Sequence, residues 1–372
     1  MDSKFWRGKR VFVTGHTGFK GSWLCLLLQE LGADVRGFAL PPPTEPSLFQ
    51  LARIDELVKS TAGDVRDLGS LTASLRANAP EIVIHMAAQP LVRASYRDPT
   101  TTFATNVMGT VNLLESVRQA GGVRVVVNVT SDKCYRNVET HGSYHEDLPM
   151  GGHDPYSSSK GCAELVTDAF RCSYFSALAV PDAPVALASA RAGNVIGGGD
   201  WAADRLIPDI VRCCAQGKQV EIRNPAAVRP WQHVLEPLSG YLLLAEKLWA
   251  SPQEFAQGWN FGPLEHDAQP VQAVVQQITA MWSEGASWRL STERHPHEAK
   301  LLKLDCTKAH AKLGWRPRTD LKTALRWTVE WYKSQARGAE ARGLSQRQIR
   351  EFMSAAGECR HDMHDTPFAK AS

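Results

Sequence analysis

Arg10-Val11-Phe12-Val13-Thr14-Gly15-His16-Thr17-Gly18-Phe19-Lys20-Gly21 decides the fold. The first five residues read as a buried strand, and the glycines lead straight into an apolar helix from Ser22 to Leu31. Glycines between a first strand and a first helix permit a tight turn and let the backbone approach a pyrophosphate, while the helix amino end favours the anion. Gly15, Thr17, Gly18, Phe19, Lys20 and Gly21 are therefore candidates for a dinucleotide-binding loop. The spacing is G-x-x-G-x-x-G, not the commoner G-x-G-x-x-G, and for the motif alone a structural turn is the alternative.

Downstream of this unit, strands and helices alternate. A second strand spans Asp34 to Phe38; where an acidic residue would meet the adenosine ribose stands Ala39, followed by a proline-rich loop, Pro41 to Pro46. That loop reads as a cofactor rim or as plain surface. Gly63-Asp64-Val65-Arg66-Asp67 ends a third strand; Asp64 and Val65 are placed to meet adenine, and Asp67 could be only a helix cap. Ile82 to His85 is a fourth strand, leading to Ala87, Ala88 and Gln89, where small residues let a cofactor lie against the backbone. The helix from about Pro99 carries Asn106, which could hold a water at the site or be satisfied by backbone. Six strands alternate with helices up to Arg191, and such alternation argues for α/β architecture with a doubly wound parallel sheet.

Chemistry concentrates between Thr130 and Lys160. The apolar run Val123 to Val129 delivers Ser131, Asp132 and Lys133 to the carboxyl end of a buried strand, where open α/β sheets bind ligands. Tyr156 and Lys160 then lie four apart on one helix face. A tyrosine with its usual pKa of ~10 is a poor base near neutrality, but a neighbouring ammonium favours the phenolate. Such a pair suits proton removal from an alcohol that Ser131 holds. The bare spacing fits an ordinary surface pair equally well; the dinucleotide loop upstream gives it meaning.

The 372 residues exceed one usual domain, so two lobes are expected. Lys plus Arg (42) against Asp plus Glu (39) leaves +3, with no basic run to serve as a nucleic-acid footprint. No apolar run approaches the ~20 residues of a spanning helix, and Met1 to Arg10 has no apolar leader core, so a cytosolic chain is expected. Eight scattered cysteines, without C-x-x-C pairs or matched histidine spacing, read as reduced thiols and not as metal ligands. Beyond Gly193 the pattern loosens into loops, Asn194 to Trp201 and Arg229 to Val234, with a short strand at Trp259-Asn260-Phe261. Arg191, Arg205 and Arg229 on loops of one region suit a diphosphate, although each alone is more often a surface residue.

Gly15 to Trp23, Ala87-Ala88-Gln89-Pro90-Leu91-Val92-Arg93, Thr130 to Tyr135, Tyr156 to Gly161, Arg191 to Trp201, Arg229 to Val234 and Lys312 to Pro317 together resemble the extended short-chain dehydrogenase/reductases of the sugar-nucleotide dehydratase branch. The likeness covers about residues 8 to 335 and leaves the segment after about Arg342 without a counterpart. It implies a Rossmann NAD-binding domain over 1–192 with about 229–262, a smaller α/β nucleotide-sugar lobe over 193–228 and 263–340, and a tail over 341–372. It implies NAD as cofactor, with NADP left open by Ala39, and a homodimer paired through the helices near Pro99 and Tyr156; Ala163, Val166, Phe170 and Tyr174 fit part of the contact face or equally face their own sheet. The implied reaction is oxidation at C4 by Tyr156, Lys160 and Ser131, loss of water across C5 and C6 with Asp132 as acid, and hydride return to C6. Lys133 stands where dTDP-glucose members carry a glutamate, the pattern of the branch acting on CDP-glucose; it could be base or electrostatic stabiliser. Arg93, Asn194, Trp201, Arg205, Arg229 and His233 are the implied substrate contacts. A 4-epimerase, or a dehydratase of UDP-glucose, dTDP-glucose or GDP-mannose, is the rival reading.

Overall fold

The computed structural model describes residues 1–139, 142–176, 185–283, 285–291 and 301–361, with side chains to residue 355. In chain order the main elements are β1 (Arg10–Thr14), α1 (Phe19–Glu30), β2 (Asp34–Ala39), β3 (Lys59–Ala62), α2 (Leu68–Asn78), β4 (Ile82–His85), α3 (Gly109–Ala120) and β5 (Val125–Val129). They continue with α4 (Pro155–Phe170), β6 (Ala186–Ala192), α5 (Leu206–Ala215), α6 (Leu235–Ala250), β7 (Gly258–Phe261), α7 (Val271–Trp282), α8 (Leu321–Ala336) and α9 (Ala341–His361). Seven strands form one parallel sheet in the order β7-β6-β5-β4-β1-β2-β3. Chain order reverses between β1 and β4, and at that switch point a doubly wound sheet opens a ligand crevice at its carboxyl ends. The central strands are apolar on both faces because helices cover both: every residue of β4 and β5 is buried, whereas the edge strand β3 is exposed throughout.

Three sequence expectations change. Trp23 to Leu28 is buried on every side of α1, which requires a cover beyond the sheet. That cover includes α9, so the expected tail is a packed helix: Leu344, Ile349 and Phe352 are buried, and Arg342 donates to the carbonyls of Ala52 and Arg53. Residues 362–372, and the Cys359 side chain, lie outside the described residues. The loops after Gly193 and Arg229 pair with each other: Val195–Ile196 runs parallel to Gln232–His233, and Val228–Pro230 pairs antiparallel with Ala268–Pro270. The helix expected from Pro99 carries a π turn over Ala104–Met108 before α3, and it swings Asn106 inward. Among the described residues no helix is long and apolar enough to cross a membrane, and the seven described cysteines are unbridged.

Candidate active site

A cleft of about 1160 Å³ runs along the carboxyl ends of the sheet. At one end lies the glycine turn. Gly15 has φ +73°, and a Cβ there would come within 2.8 Å of the Ala87 backbone, so only glycine lets β1 and β4 close up. Gly18 caps α1 without any side-chain hydrogen bond, which leaves amides of the first turn open to an anion. Gly15, Thr17, Gly18, Phe19, Lys20, Gly21, Asp64, Val65, Ala87 and Ala88 all line the cleft. Between residues 39 and 65 its lining includes Glu45 and Asp64 and no lysine or arginine, so nothing in that stretch favours a 2′-phosphate. The arrangement fits a dinucleotide.

Gln89 and Asn106 do not line it. Asn106 accepts from the Gln89 amide at 2.8 Å and donates to the Gln89 carbonyl and to Ser159 Oγ, while the Gln89 side chain is spent on Leu91 and Thr102. These bonds are those of the alternative in which backbone satisfies Asn106, and through Ser159 they tie the strand-end loop to α4.

Ser131, Asp132, Lys133, Tyr156 and Lys160 converge on the middle of the cleft. Ser131 caps a 3₁₀ turn over Asp132–Cys134, and its hydroxyl donates to Asp132 Oδ1 at 2.9 Å. Lys133 Nζ stands 3.6 Å from the same oxygen. Asp132 is wholly buried, with Oδ2 against Gly193, where any Cβ would sit 2.2 Å from it. Asp154 caps α4 and Ser95 takes the Tyr156 amide, which holds the first turn of the helix in place.

Burial, not the neighbouring ammonium, dominates both groups of the Tyr/Lys pair. It raises the Tyr156 phenol to about 12, opposed by the hydrogen bond to Ser131, and it lowers Lys160 to about 8, opposed by Glu164. The expected lowering of the phenol by Lys160 is thus not what the folded chain shows. Lys20, read from sequence as part of the phosphate turn, instead donates to Tyr241 Oη at 2.7 Å. Burial, Lys160 and Arg205 lower it to about 7. Tyr241, on α6, was not legible as a site residue, since nothing in its local sequence points to the cleft.

Among the implied substrate contacts, Arg93, Asn194, Trp201, Arg205 and Arg229 line the far end. Asn194 presents a buried Oδ1 without a hydrogen-bond partner among the described residues, as an acceptor awaiting a ligand donor would. Arg93 and Arg223 flank Asp204, and Arg205 pairs with Asp200 at 2.8 Å. His233 does not reach the cleft: it is fully buried between the rings of Trp23 and Trp327, and burial lowers it to about 3. Arg191 is not a diphosphate ligand either. It is buried against Glu164 at 2.8 Å and donates to Tyr135 Oη, in a network under α4 that also takes in Thr130 and Ser189.

The GDP-mannose 4,6 dehydratase family matches residues 12–328. The chain belongs to this family. CDP-glucose 4,6-dehydratase of Salmonella typhimurium is 56% identical over 95% of this chain and 99% of that protein. dTDP-glucose 4,6-dehydratase of Streptomyces antibioticus is 29% identical over 87% of this chain and 92% of that one. A solved dTDP-glucose 4,6-dehydratase from Streptomyces venezuelae, with NAD bound, superposes with a TM-score of 0.73 at 26% identity, covering 90% of this chain and 99% of that one. In this chain Ser131, Asp132, Lys133, Tyr156 and Lys160 line one cleft.

Proposed function

We propose that the chain converts CDP-D-glucose to CDP-4-dehydro-6-deoxy-D-glucose. The observation that carries this is 56% identity over 95% of the chain with a CDP-glucose 4,6-dehydratase, together with Lys133 beside Ser131 and Asp132 in the cleft. The glycine turn and the Ala87–Ala88 strand end would hold NAD, which would supply the hydride acceptor for C4 and the hydride donor for C6. Tyr156 takes the O4 proton, with Ser131 holding the hydroxyl and Lys160 supplying positive charge. The C4 ketone acidifies C5, Lys133 assists the loss of the C5 proton, and Asp132 delivers a proton to the departing O6. Arg93, Arg205, Arg229, Asn194 and Trp201 bind the nucleotide diphosphate. Incubation with CDP-glucose should yield a keto sugar lighter by one water, and substrate deuterated at C4 should carry the label to C6 without consuming reductant. Product of unchanged mass would instead mean a 4-epimerase.

The reading includes a cytoplasmic homodimer. The unbridged thiols suit a reducing compartment. Met108 and Leu165, on adjacent helices, and Tyr174 are exposed apolar residues that a second copy could cover. Ala163, Val166 and Phe170 do not serve this face: Ala163 is buried, and Val166 and Phe170 pack on their own core. In this reading residues 1–192 with about 229–262 bind the cofactor, and 193–228 with 263–340 bind the substrate.

A further inference from the structure

At the far end of the cleft, carboxylates of the chain itself already engage Arg93, Arg205 and Arg223, so an incoming diphosphate must displace one of them or lie against it. Two acidic groups there are fixed. Asp200 pairs with Arg205 at 2.8 Å, is nearly buried, accepts from the Ala202 amide, and has its own amide and carbonyl bonded to the Tyr332 hydroxyl. Asp209 is paired within α5 to Arg212, which does not line the cleft.

Asp204 is held differently. It lies on the turn before α5, where three segments bring arginines to one carboxylate: Arg93 Nη1 at 2.9 Å and Arg223 Nη1 at 3.7 Å from Oδ1, and Arg97 Nη1 at 4.0 Å from Oδ2. Among the described residues the Arg93 guanidinium is its one hydrogen-bond donor, and a quarter of the side chain already meets water. Its backbone has φ +63°, a region that few residues besides glycine, asparagine and aspartate adopt. Arg223 Nη1 is buried, and at 3.7 Å from Asp204 it forms an ion pair without a hydrogen bond; among the described residues this donor has no hydrogen-bond partner. Three guanidiniums facing one carboxylate leave an excess of two positive charges, which matches the two negative charges of a nucleotide-sugar diphosphate.

We propose that Asp204 is an internal counter-ion that the substrate diphosphate displaces: phosphate oxygens take Arg93 and Arg223, and the carboxylate turns out to water. The proposal rests on the nucleotide-sugar reading above and adds Arg223 to its diphosphate ligands. In the empty cleft Asp204 compensates guanidiniums that would otherwise be half-buried and unpaired. Left in place beside a diphosphate it would repel it, so every anion that binds must first outcompete it. That competition favours a diphosphate, which can bridge two arginines, over an anion that meets only one.

The test is calorimetric titration of NAD-saturated enzyme, whose glycine turn is already filled, with CDP, inorganic pyrophosphate and cytidine at low salt. Asp204→Asn keeps the side-chain shape and suits the same backbone, and Asp204→Gly suits it without any side chain. With two or three partly exposed ion pairs no longer to be broken, both variants should bind CDP and pyrophosphate about tenfold more tightly than the parent. The gain should shrink as salt is added, and cytidine binding should not change. The gain should also need Arg223, so that Asp204→Asn combined with Arg223→Gln binds pyrophosphate no better than the parent. A carboxylate that merely positions Arg93 gives the opposite sign: parental or weaker binding in both Asp204 variants overturns the proposal, as does an equal gain for cytidine or a gain that survives loss of Arg223. A parent that follows the predicted binding pattern but removes no water from CDP-glucose overturns the dehydratase reading alone.

Discussion

Replacing Lys133 by alanine should separate the elimination from the oxidation. Its Nζ lies 3.6 Å from Asp132 Oδ1, beside the group that must release a proton to O6, whereas Ser131, Tyr156 and Lys160 already suffice for chemistry at C4. At an effective dielectric of ~20, charges at that separation interact by about 4–5 kcal/mol. The side chain keeps about a quarter of its surface open to water, so solvent screening brings this to roughly 1–2 kcal/mol, or about 5- to 30-fold in rate. A lysine acting as base at C5 would add general-base assistance of ~10²–10⁴-fold. A defect near 10-fold therefore marks an electrostatic stabiliser, and one of 10²–10⁴-fold marks a base. The assay is a single turnover with CDP-glucose, following cofactor reduction and water loss separately. Lys133→Ala should reduce cofactor at nearly the parental rate and then hold the 4-keto sugar, and exchange of the C5 proton in D₂O should slow in step if Lys133 is the base. Parental elimination, or loss of cofactor reduction, would refute this assignment.

Other perturbations follow from buried charges and the exposed helix face. Glu164→Gln removes one partner of a buried ion pair with Arg191 and should cost about 3–5 kcal/mol by urea unfolding, with Lys160 pushed further below about 8; unchanged stability would show that the pair is dispensable. Glu236 is buried where it accepts from the Arg318 and Thr319 amides, and burial raises it from 4.5 to about 7. Its contribution to stability is full below about pH 4.5 and is lost as pH rises through 7, roughly 3 kcal/mol at most; Glu236→Gln should flatten that part of the stability–pH curve, and a parallel curve would exclude the group. Leu165→Glu should turn a dimer into a monomer by light scattering at micromolar concentration, and a parent that is already monomeric would sink the dimer.

The sheet was legible because each strand from Arg10 to Arg191 carries its own signal: a short apolar run, glycine or small residues at its end, and a helix after it. Ser131, Tyr156 and Lys160 were legible because they lie within one segment that a strand end and a helix start must bring together. His233 and Arg191 misled because their sequence neighbourhood is that of the site while their side chains turn the other way, one into an aromatic core and the other onto Glu164. Helix α9 could have been found indirectly. A helix with Trp23, Leu24, Leu26, Leu27 and Leu28 all apolar cannot be covered by one sheet, so a further element had to pack on it, and the remaining long segment with helical composition was the carboxyl end. Tyr241 had no such trace, because a tyrosine in an apolar helix reads as core until the fold brings Lys20 to its hydroxyl. Contacts of that kind join segments more than two hundred residues apart and depend on where α6 lies across the sheet. The site is therefore written in two ways: the groups that do the proton chemistry at C4 are local in sequence, and the groups that set their charge environment, Lys20, Arg205, Glu164 and Tyr241, are assembled only by the topology.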